Sequence, residues 1–477
     1  MLRNYQTKFI ADIRNLIYHK KSIIACAATG SGKTKTFLSM ADNAVGKGTT
    51  VLILSESRKI FKQISAERPC TEIKAGITHL WVEPGGIYVA MAQTLARREF
   101  IIKQFAELST RLLLIIDEAH IGTATKVIEQ FPNAYKIGFT ATPDYKVARH
   151  LPKLYRDIVI GPQPQELIEM GFLSPYYHYE RKAADLSGLT RDSKGEFTEA
   201  SQLAAFTRPQ VYAGLHQDLA KQQFKKAIIF CSSIKHCQQV TQDLRQSGYI
   251  VSEVHTANKM ADVELHEFTD GPIKICVSVG ILTKGFDFPS IDLVILQRAT
   301  TSLALYCQMI GRGSRIAPGK TRFTVLDYGG NASRHGLWNF EHDWREKWNG
   351  KEKRKKNGLP PVKDCPKCLL MVPARATECP ECGHRWSAKE VEMAVGVMVN
   401  ATEQYNKIRG KKISELTPAE LLIYRNSTNK KAFAMRVAKA KGGQFLTEYI
   451  RLAKYKPGIM HYIDTKEKLD FYDITIK

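Results

Sequence analysis

The first 330 residues alternate between short apolar runs and longer amphipathic stretches. The apolar runs lie at residues 22–26, 51–54, 87–90, 112–116 and 136–139, and stretches with helical periodicity, such as 35–44 and 98–108, separate them. Strands that are apolar along their whole length and alternate with helices are typical of a parallel sheet covered on both faces. The pattern therefore predicts an α/β domain.

The same alternation begins again after residue 225, with apolar runs at 227–230, 249–254, 273–277, 293–296 and 323–326. We therefore expect two tandem α/β lobes over residues 1–160 and 161–345, joined at the Pro- and Gly-rich stretch 161–164. A basic linker over 346–361, a cysteine module over 362–386 and a basic, mostly helical region over 387–477 complete the predicted organisation. Thr417 and Pro418 are expected to open a helix in this last region, whose role the sequence does not reveal.

Composition and charge narrow the class of protein. The 477 residues, 44% hydrophobic and 25% charged, are typical of a folded chain with about three units. No apolar run approaches the roughly 18 residues that span a bilayer, and no signal peptide is evident, so we expect a cytoplasmic protein without membrane contact. The 70 Lys and Arg against 47 Asp and Glu give a net charge of +23, which favours nucleic acid as a partner.

Residues 27–34 follow the first apolar run, open a helix and have the pattern of a phosphate-binding loop. The glycines of such a loop let backbone N–H groups close around phosphate oxygens at a helix N-terminus. Lys33 would reach the β- and γ-phosphates of ATP, and Thr34 would hold Mg²⁺. The plain alternative is a tight glycine-rich turn. The residues expected to bind ATP here are Thr29, Gly30, Ser31, Gly32, Lys33 and Thr34.

Two carboxylates, Asp117 and Glu118, follow the apolar run at 112–116. The C-terminal end of a parallel strand lies at the same sheet edge as the phosphate loop. Asp117 can therefore hold Mg²⁺, and Glu118 can polarise the attacking water as a general base. An ordinary solvated strand end is the alternative, which the presence of the phosphate loop disfavours.

The phosphate loop, the DEAH tetrad at 117–120 and the Thr-Ala-Thr-Pro segment at 140–143 together resemble motifs I, II and III of the superfamily 2 helicases. This resemblance implies two RecA-like lobes that bind ATP between them and move along nucleic acid. Residues 2–6 are similar to the adenine-reading segment of that superfamily. There Gln6 would contact the adenine edge and Arg3 would stack on or near it, although Gln6 could also be an ordinary helix residue.

The second lobe carries segments that resemble two further motifs of the superfamily. Residues 283–289 are similar to motif V and imply nucleotide contacts from Gly285 and Asp287. Residues 308–315 are similar to motif VI, which makes Gln308, Arg312 and Arg315 candidate catalytic residues. An arginine that faces the γ-phosphate stabilises transition-state charge, and we favour Arg315 for this role.

By the same resemblance, seven residues near strand ends are expected to contact the nucleic-acid backbone. Hydroxyls, amides and N–H groups at such positions hold phosphates without reading sequence. Each hydroxyl could instead cap a helix or stabilise a turn. The seven are Ser55, Arg58, Gln93, Thr94, Ser232, Ser233 and Thr283.

Four of the ten cysteines form two Cys-x-x-Cys pairs, Cys365 with Cys368 and Cys379 with Cys382. Four thiolates at this spacing can bind Zn²⁺ tetrahedrally, and a set without an open position predicts a structural metal. A redox dithiol pair or unliganded cysteines are the alternatives. His384 could replace one cysteine, but we expect it to be a bystander.

The order of these motifs, followed by Gly319, Lys320, residues 326–336 and a cysteine module, is similar to that of RadD-like DNA repair helicases and related DEAH-type phage proteins. The resemblance implies DNA as substrate, repair, recombination or replication as setting, proteins of those processes as possible partners, and the cytoplasm of a bacterium or phage-infected host. It covers residues 1–330 best. An RNA helicase, a translocase that does not separate strands, and a zinc-ribbon binding protein with a vestigial ATPase stay open as alternatives.

Overall fold

The computed structural model describes residues 2–56, 58–145, 148–280, 282, 287–350, 362–387, 408, 411–428, 437–438 and 440–452, without the side chains of 58, 59, 109, 425–428 and 451. The chain divides into two compact units, of which the first holds both large sheets and the second holds the described residues from Val372 onward. No helix of the described residues combines the length and the apolar character needed to cross a membrane.

The first lobe is a parallel sheet of seven strands in the order β3-β4-β2-β5-β6-β1-β7. Its strands are β1 (Ser22–Cys26), β2 (Thr50–Ser55), β3 (Thr71–Ile73), β4 (Ile87–Met91), β5 (Leu112–Ile116), β6 (Tyr135–Thr140) and β7 (Asp157–Ile160). Its helices are α1 (Asn4–Lys20), α2 (Lys33–Val45), α3 (Arg58–Glu67), α4 (Ala92–Leu95), α5 (Glu99–Glu107), α6 (Thr125–Glu129) and α7 (Leu151–Leu154). Short 3₁₀ turns lie at Ser109–Arg111 and Ala119–Ile121.

The second lobe is a parallel sheet of six strands in the order β10-β11-β9-β12-β13-β8. Its strands are β8 (Tyr176–Glu180), β9 (Ala227–Cys231), β10 (Val251–Val254), β11 (Ile275–Ser278), β12 (Leu293–Gln297) and β13 (Phe323–Asp327). Its helices are α8 (Pro164–Glu169), α9 (Glu199–Phe206), α10 (Pro209–Lys221), α11 (Ile234–Gln246), α12 (Ala261–Thr269), α13 (Leu303–Ile310), α14 (Asn331–His335) and α15 (Trp344–Trp348), with a 3₁₀ turn at Leu186–Gly188.

The central strands are buried on both faces, as their unbroken apolar sequences predict. Every residue of β1, β5, β9 and β12 is buried, and separate apolar clusters cover the two faces of the first sheet. Such a sheet aligns the C-terminal ends of its strands along one edge. The predicted fold class, two parallel-sheet α/β lobes of the RecA-like type, is confirmed.

The C-terminal part contains two short paired strands, β14 (Val362–Asp364) and β15 (Met371–Pro373). Beyond them lie a 3₁₀ turn at Ile413–Glu415 and helices at Pro418–Thr428 and Gly443–Leu452. The helix predicted to open at Pro418 is present, and the Thr417 hydroxyl accepts a hydrogen bond from the backbone N–H of Glu420 at 3.3 Å. The predicted linker begins inside α15, and its residues 351–361 lie outside the described part.

Candidate active site

The phosphate loop connects β1 to α2, which begins at Lys33. Gly30 and Gly32 adopt left-handed backbone angles, with φ of 88° and 78°, that only glycine adopts without strain. Lys33 Nζ donates to the carbonyl of Ala27 at 3.5 Å, which folds the side chain back over the loop. The Ser31 hydroxyl is buried and has no partner among the described residues. Backbone N–H groups, an ammonium and an unsatisfied hydroxyl at a helix N-terminus can bind the phosphates of a nucleotide.

The N-terminus of α1 contacts this loop directly. Gln6 is buried and donates through Nε2 to the carbonyl of Ser31 at 3.1 Å, and the Tyr5 hydroxyl donates to the same carbonyl at 2.7 Å. The guanidinium of Arg3 lies 4.5 Å from the ring centre of Phe172. The structure thus brings Arg3 and Gln6 beside the phosphate loop. Their contact with adenine stays a prediction, and the supporting roles of Tyr5 and Phe172 were not predicted.

Asp117 follows β5 at the same sheet edge as the phosphate loop, because β6 lies between β5 and β1 and pairs with both. Burial raises the pKa of the Asp117 carboxyl to about 7; the neighbouring Glu118 adds to the rise and Lys33 opposes it. A buried carboxyl beside a second acid suits a divalent cation, because the positive charge offsets both the burial of the carboxylate and its repulsion by the second acid. Asp117 and Thr34, in the first turn of α2, therefore supply oxygen ligands of the type that Mg²⁺ prefers.

Glu118 and His120 follow Asp117, and His120 contacts the end of the neighbouring strand β6. Glu118 has φ of 49°, an unusual angle for a residue with a side chain, and the chain turns sharply there. The ring of His120 contacts the Thr140 hydroxyl at 2.9 Å, and the same hydroxyl accepts a hydrogen bond from Thr142 N at 3.1 Å. Strain at this position is typical of functional sites.

The segment 308–315 of the second lobe packs against the phosphate loop of the first. A Cβ placed on Gly311 would lie 2.4 Å from the Thr29 methyl carbon, so this glycine permits close contact between the lobes. A Cβ placed on Gly30 would lie 3.5 Å from Nε of Arg315. The structure therefore brings the candidate arginine to the edge of the phosphate loop.

The remaining predicted residues of this segment are buried beside that contact. Gln308 and Arg312 are 5% and 7% exposed. Burial lowers the pKa of Arg312 to about 10, the nearby Arg315 adds to the decrease, and Glu118 opposes it. Arg312 therefore lies close enough to Glu118 for their charges to interact across the two lobes.

Three contacts hold Arg315 in place, and none of these contacts was predicted from the sequence. Arg315 Nη1 donates to an Asp287 carboxylate oxygen at 2.8 Å. The Ser174 hydroxyl donates to the Arg315 carbonyl at 2.9 Å. Lys320 Nζ donates to the same carbonyl at 2.8 Å and to the carbonyl of Gly313. Asp287 was predicted as a nucleotide contact; here its partner is the arginine.

Lys320 ties two loops together. Besides those two carbonyls, its Nζ donates to the carbonyls of Pro289 and Ile291, which precede β12. Burial lowers the pKa of Lys320 to about 7; Asp292 opposes the decrease and Arg315 adds to it. Only its position after the predicted motif VI could have suggested Lys320, because its hydrogen-bond acceptors are backbone carbonyls, which every residue has.

The predicted nucleic-acid contacts follow strand ends, but their surroundings differ. Gln93 is exposed and Thr94 half-buried in α4, directly after β4. Ser55 is buried at the end of β2. Ser233 caps α11 through its hydroxyl, which accepts from His236 N at 3.2 Å, and the Ser232 hydroxyl contacts the His236 ring at 3.0 Å. The capping alternative therefore describes Ser233 in this structure. The side chain of Arg58, and Thr283 and Gly285 entirely, lie outside the described residues.

The four paired cysteines lie together, and the Sγ atoms of Cys365, Cys368, Cys379 and Cys382 are all within 4.8 Å of one another. In each pair, the residue directly after the second cysteine donates its backbone N–H to the carbonyl of the first cysteine. Leu369 N donates to Cys365 O, and Gly383 N donates to Cys379 O. Both donor residues adopt left-handed angles, with φ of 64° and 67°. Four sulfurs in this arrangement could hold a tetrahedral metal ion.

Comparison with known proteins agrees with the two-lobe site. Residues 1–145 match the family described as type III restriction enzyme, res subunit, and residues 210–317 match the helicase conserved C-terminal domain. A 51.5 kDa protein of a Lactococcus phage is 28% identical, over 76% of this chain and 77% of its own length. The fold is also similar to a fragment of a putative HsdR subunit of a type I restriction enzyme from Vibrio vulnificus, with a TM-score of 0.55, 23% identity and coverage of 72% and 66% of the two chains.

Two longer relatives match about two thirds of this chain. The putative ATP-dependent helicase IRC3 of Saccharomyces cerevisiae is 26% identical over 70% of this chain and 52% of its own length. The EcoAI type I restriction enzyme endonuclease subunit of Escherichia coli is 24% identical over 68% of this chain and 46% of its own. The chain thus spans about half the length of these two relatives. Its two matched domains, together with these relatives, identify the chain as a superfamily 2 helicase, a nucleic-acid-dependent ATPase.

Proposed function

We propose that this chain is an ATP-driven motor that moves along DNA and hydrolyses ATP between its two lobes. The observation that carries the proposal is the close contact of Gly311 with Thr29, because a nucleotide on the phosphate loop would then touch both lobes. A ligand that bridges two lobes favours their closed arrangement, and its hydrolysis removes the bridge. Repeated closure while both lobes hold a phosphodiester backbone produces movement along it.

Each side chain has a distinct part in the proposed hydrolysis. Lys33 and the backbone N–H groups of its loop bind the β- and γ-phosphates. Thr34 and Asp117 would hold Mg²⁺, which neutralises phosphate charge when bound. Glu118 accepts the proton of the attacking water. Arg315 stabilises the charge that develops on the transferring phosphoryl group, an effect worth roughly 10³–10⁵ in rate.

Ser174 and Lys320 are positioning residues in this proposal. Both donate to the carbonyl of Arg315, and neither is required to contact the nucleotide. Fixing the backbone of a catalytic arginine matters because a displacement of about 1 Å can cost about 100-fold in rate.

DNA is proposed as the track on the strength of the relatives. The family match over residues 1–145 and the EcoAI and HsdR relatives are named as restriction enzyme subunits. Other relatives are named as RNA helicases, eIF4A of Candida albicans among them. The DEAH tetrad and the cysteine module support the RadD-like group, with repair, recombination or replication as the setting. In the same proposal, Zn²⁺ occupies the four cysteines as a structural ion.

The test is steady-state ATP hydrolysis with no nucleic acid, single-stranded DNA, duplex DNA, forked DNA and RNA, with Lys33→Ala as control. Stimulation by DNA that Lys33→Ala abolishes supports the DNA motor. Stimulation by RNA alone would overturn the choice of track but keep the mechanism. Binding of DNA without hydrolysis under any condition would replace the motor with a zinc-ribbon binding protein.

A further inference from the structure

Trp81 lies on the surface of the first lobe, where the residue is 77% exposed. Three other tryptophans, Trp338, Trp344 and Trp348, are at most 7% exposed, and Trp386 is half-buried. Tryptophan has the largest apolar surface of any side chain and is on average highly buried. Its exposure on a surface loop makes Trp81 a candidate contact for a ligand.

The loop that carries Trp81 is held firmly on both sides. Gln104 of α5 donates to the carbonyl of Leu80 at 2.7 Å and accepts from the N–H of Val82 at 2.8 Å. Leu80 and Val82 pack against the core of the lobe. Arg98 Nε donates to the carbonyl of Ile77 at 2.7 Å and fixes the start of the loop. The flanking residues face inward, so the fold directs Trp81 into solvent.

Two more rings extend the exposed aromatic surface. The ring centres of Trp81 and Phe100 lie 5.5 Å apart at 81°, and those of His79 and Phe100 lie 5.2 Å apart at 51°. Phe100 is 37% exposed on α5, and His79 is exposed. We refer to Trp81, His79 and Phe100 as the aromatic platform.

The platform adjoins residues already proposed to contact the nucleic-acid strand. Gln93 and Thr94 lie in α4, and the chain passes from α4 to α5 through a turn in which Arg97 N donates to Thr94 O. Arg98, the next residue, holds the platform loop through Ile77. The Arg98 side chain therefore connects the platform loop to the segment that carries Gln93 and Thr94.

The charges around the platform complement a polyanion. Arg97 and Lys103 are exposed and Arg98 is half-buried, against two exposed acids, Glu83 in the platform loop and Glu99 beside Phe100. Lys103 lies one helical turn from Phe100, so a cation and an aromatic ring occupy neighbouring positions on α5. Cations beside stacked rings are the combination that single-stranded nucleic acid binds.

We propose that the aromatic platform stacks unpaired bases of the strand along which the motor moves, with Trp81 as the principal contact. The proposal rests on the proposed function and adds to it a site for single strands. A stacking surface accepts any base, as a motor requires, because every base has a π-face. An apolar partner protein would not explain why three cations, Arg97, Arg98 and Lys103, lie next to the rings in the sequence.

The experiment measures the affinity of the full chain for a labelled 20-nucleotide oligodeoxythymidylate and for a blunt 20-base-pair duplex, by fluorescence anisotropy. Trp81→Ala should raise the Kd for the single strand by roughly 5- to 150-fold. The Kd of Trp81→Ala for the duplex should differ little from that of the wild type, because paired bases already stack on one another and cannot stack on Trp81. Trp81→Phe should lose less affinity than Trp81→Ala.

Tyr18→Ala is the matched control, because Tyr18 is 75% exposed on the same lobe but lies at the far end of α1. Its affinity for both probes should equal that of the wild type. The single strand should also quench tryptophan fluorescence in the wild type and leave it unchanged in Trp81→Phe. Circular dichroism and thermal unfolding establish that the variants are folded.

Two outcomes overturn the proposal in different ways. If the wild type binds the single strand and is stimulated by it, but folded Trp81→Ala binds equally well without a change in quenching, the platform does not stack bases and the motor stands. If no nucleic acid binds or stimulates the wild type, the platform and the proposed function fail together.

Discussion

Replacing Lys320 with methionine separates the positioning of Arg315 from the stability of the second lobe. Lys320 Nζ donates to the carbonyls of Pro289, Ile291, Gly313 and Arg315 at 2.5–3.1 Å. Methionine has a similar length and no hydrogen to donate. The change therefore releases the loop of Arg315 and leaves its side chain, and every predicted nucleotide contact, untouched.

The effect of this change on stability should be small because two large effects oppose each other. The pKa of Lys320 falls from 10.5 to about 7, so burial disfavours the ammonium by roughly 5 kcal/mol. Its three protons can make three full hydrogen bonds, which stabilise the folded state by about 1.5–3 kcal/mol each when one partner is charged. Lys320→Met should therefore change the free energy of unfolding by only about 2 kcal/mol.

Turnover should respond far more strongly than stability. We expect the nucleic-acid-stimulated kcat to fall about 10- to 100-fold, a fraction of the roughly 10³–10⁵ that an arginine finger contributes. The KM for ATP should change less, since the phosphate loop is intact. Lys320→Arg, which keeps the charge and several donors, should recover part of the rate.

The assay compares kcat, KM and the free energy of urea unfolding for Lys320→Met and Lys226→Met. Lys226 is a matched control because its Nζ donates to the carbonyls of Phe268, Gly271 and Ile273 at 2.5–3.0 Å, and burial also lowers its pKa. None of its acceptors belongs to residues 308–315. Equal kcat losses in the two variants, or none in Lys320→Met, would refute the positioning role.

Three further changes test the lobe contact and the cysteine module. Gly311→Ala should lower kcat about tenfold, because the new Cβ would lie 2.4 Å from the Thr29 methyl carbon. The double variant Gly311→Ala/Thr29→Ser should recover part of the lost kcat. Wild-type turnover by Gly311→Ala alone would contradict the contact. Leu369→Gly should raise the free energy of unfolding by up to about 1 kcal/mol, because the half-exposed Leu369 adopts φ of 64°, and a loss of stability in urea unfolding would contradict this. Purified protein should contain one Zn²⁺ per chain by mass spectrometry, and Cys368→Ser should lose the ion to a chelator faster than the wild type. Zinc-free wild-type protein, or equal rates of loss, would contradict a four-sulfur site.

The central strands and one edge strand, Val251–Val254, could be predicted from sequence, whereas the other three edge strands could not. The strands Ser22–Cys26 and Leu112–Ile116 match their predicted bounds, because a strand buried on both faces is apolar throughout. Thr71–Ile73, Asp157–Ile160 and Tyr176–Glu180 were missed. Each lies at the edge of its sheet or is very short, and polar residues interrupt its apolar pattern. Pairing with a neighbour, which is a property of the fold, makes these segments strands.

In the candidate site, the chemically active side chains could likewise be predicted from sequence, whereas the residues that position them could not. Side chains that must carry out chemistry have restricted identities and stand in compact motifs, so Lys33, Asp117 and Arg315 could be proposed from sequence. Residues that hold them act through backbone carbonyls, which every residue has, and they come from anywhere in the chain. The Arg315 carbonyl accepts from Ser174, 141 positions earlier, and from Lys320, 5 positions later. A motif therefore predicts which arginine is the candidate to stabilise the transition state, whereas only the fold reveals what holds that arginine in position. For that reason the comparison of Lys320 with Lys226 tests the structure and not the motif.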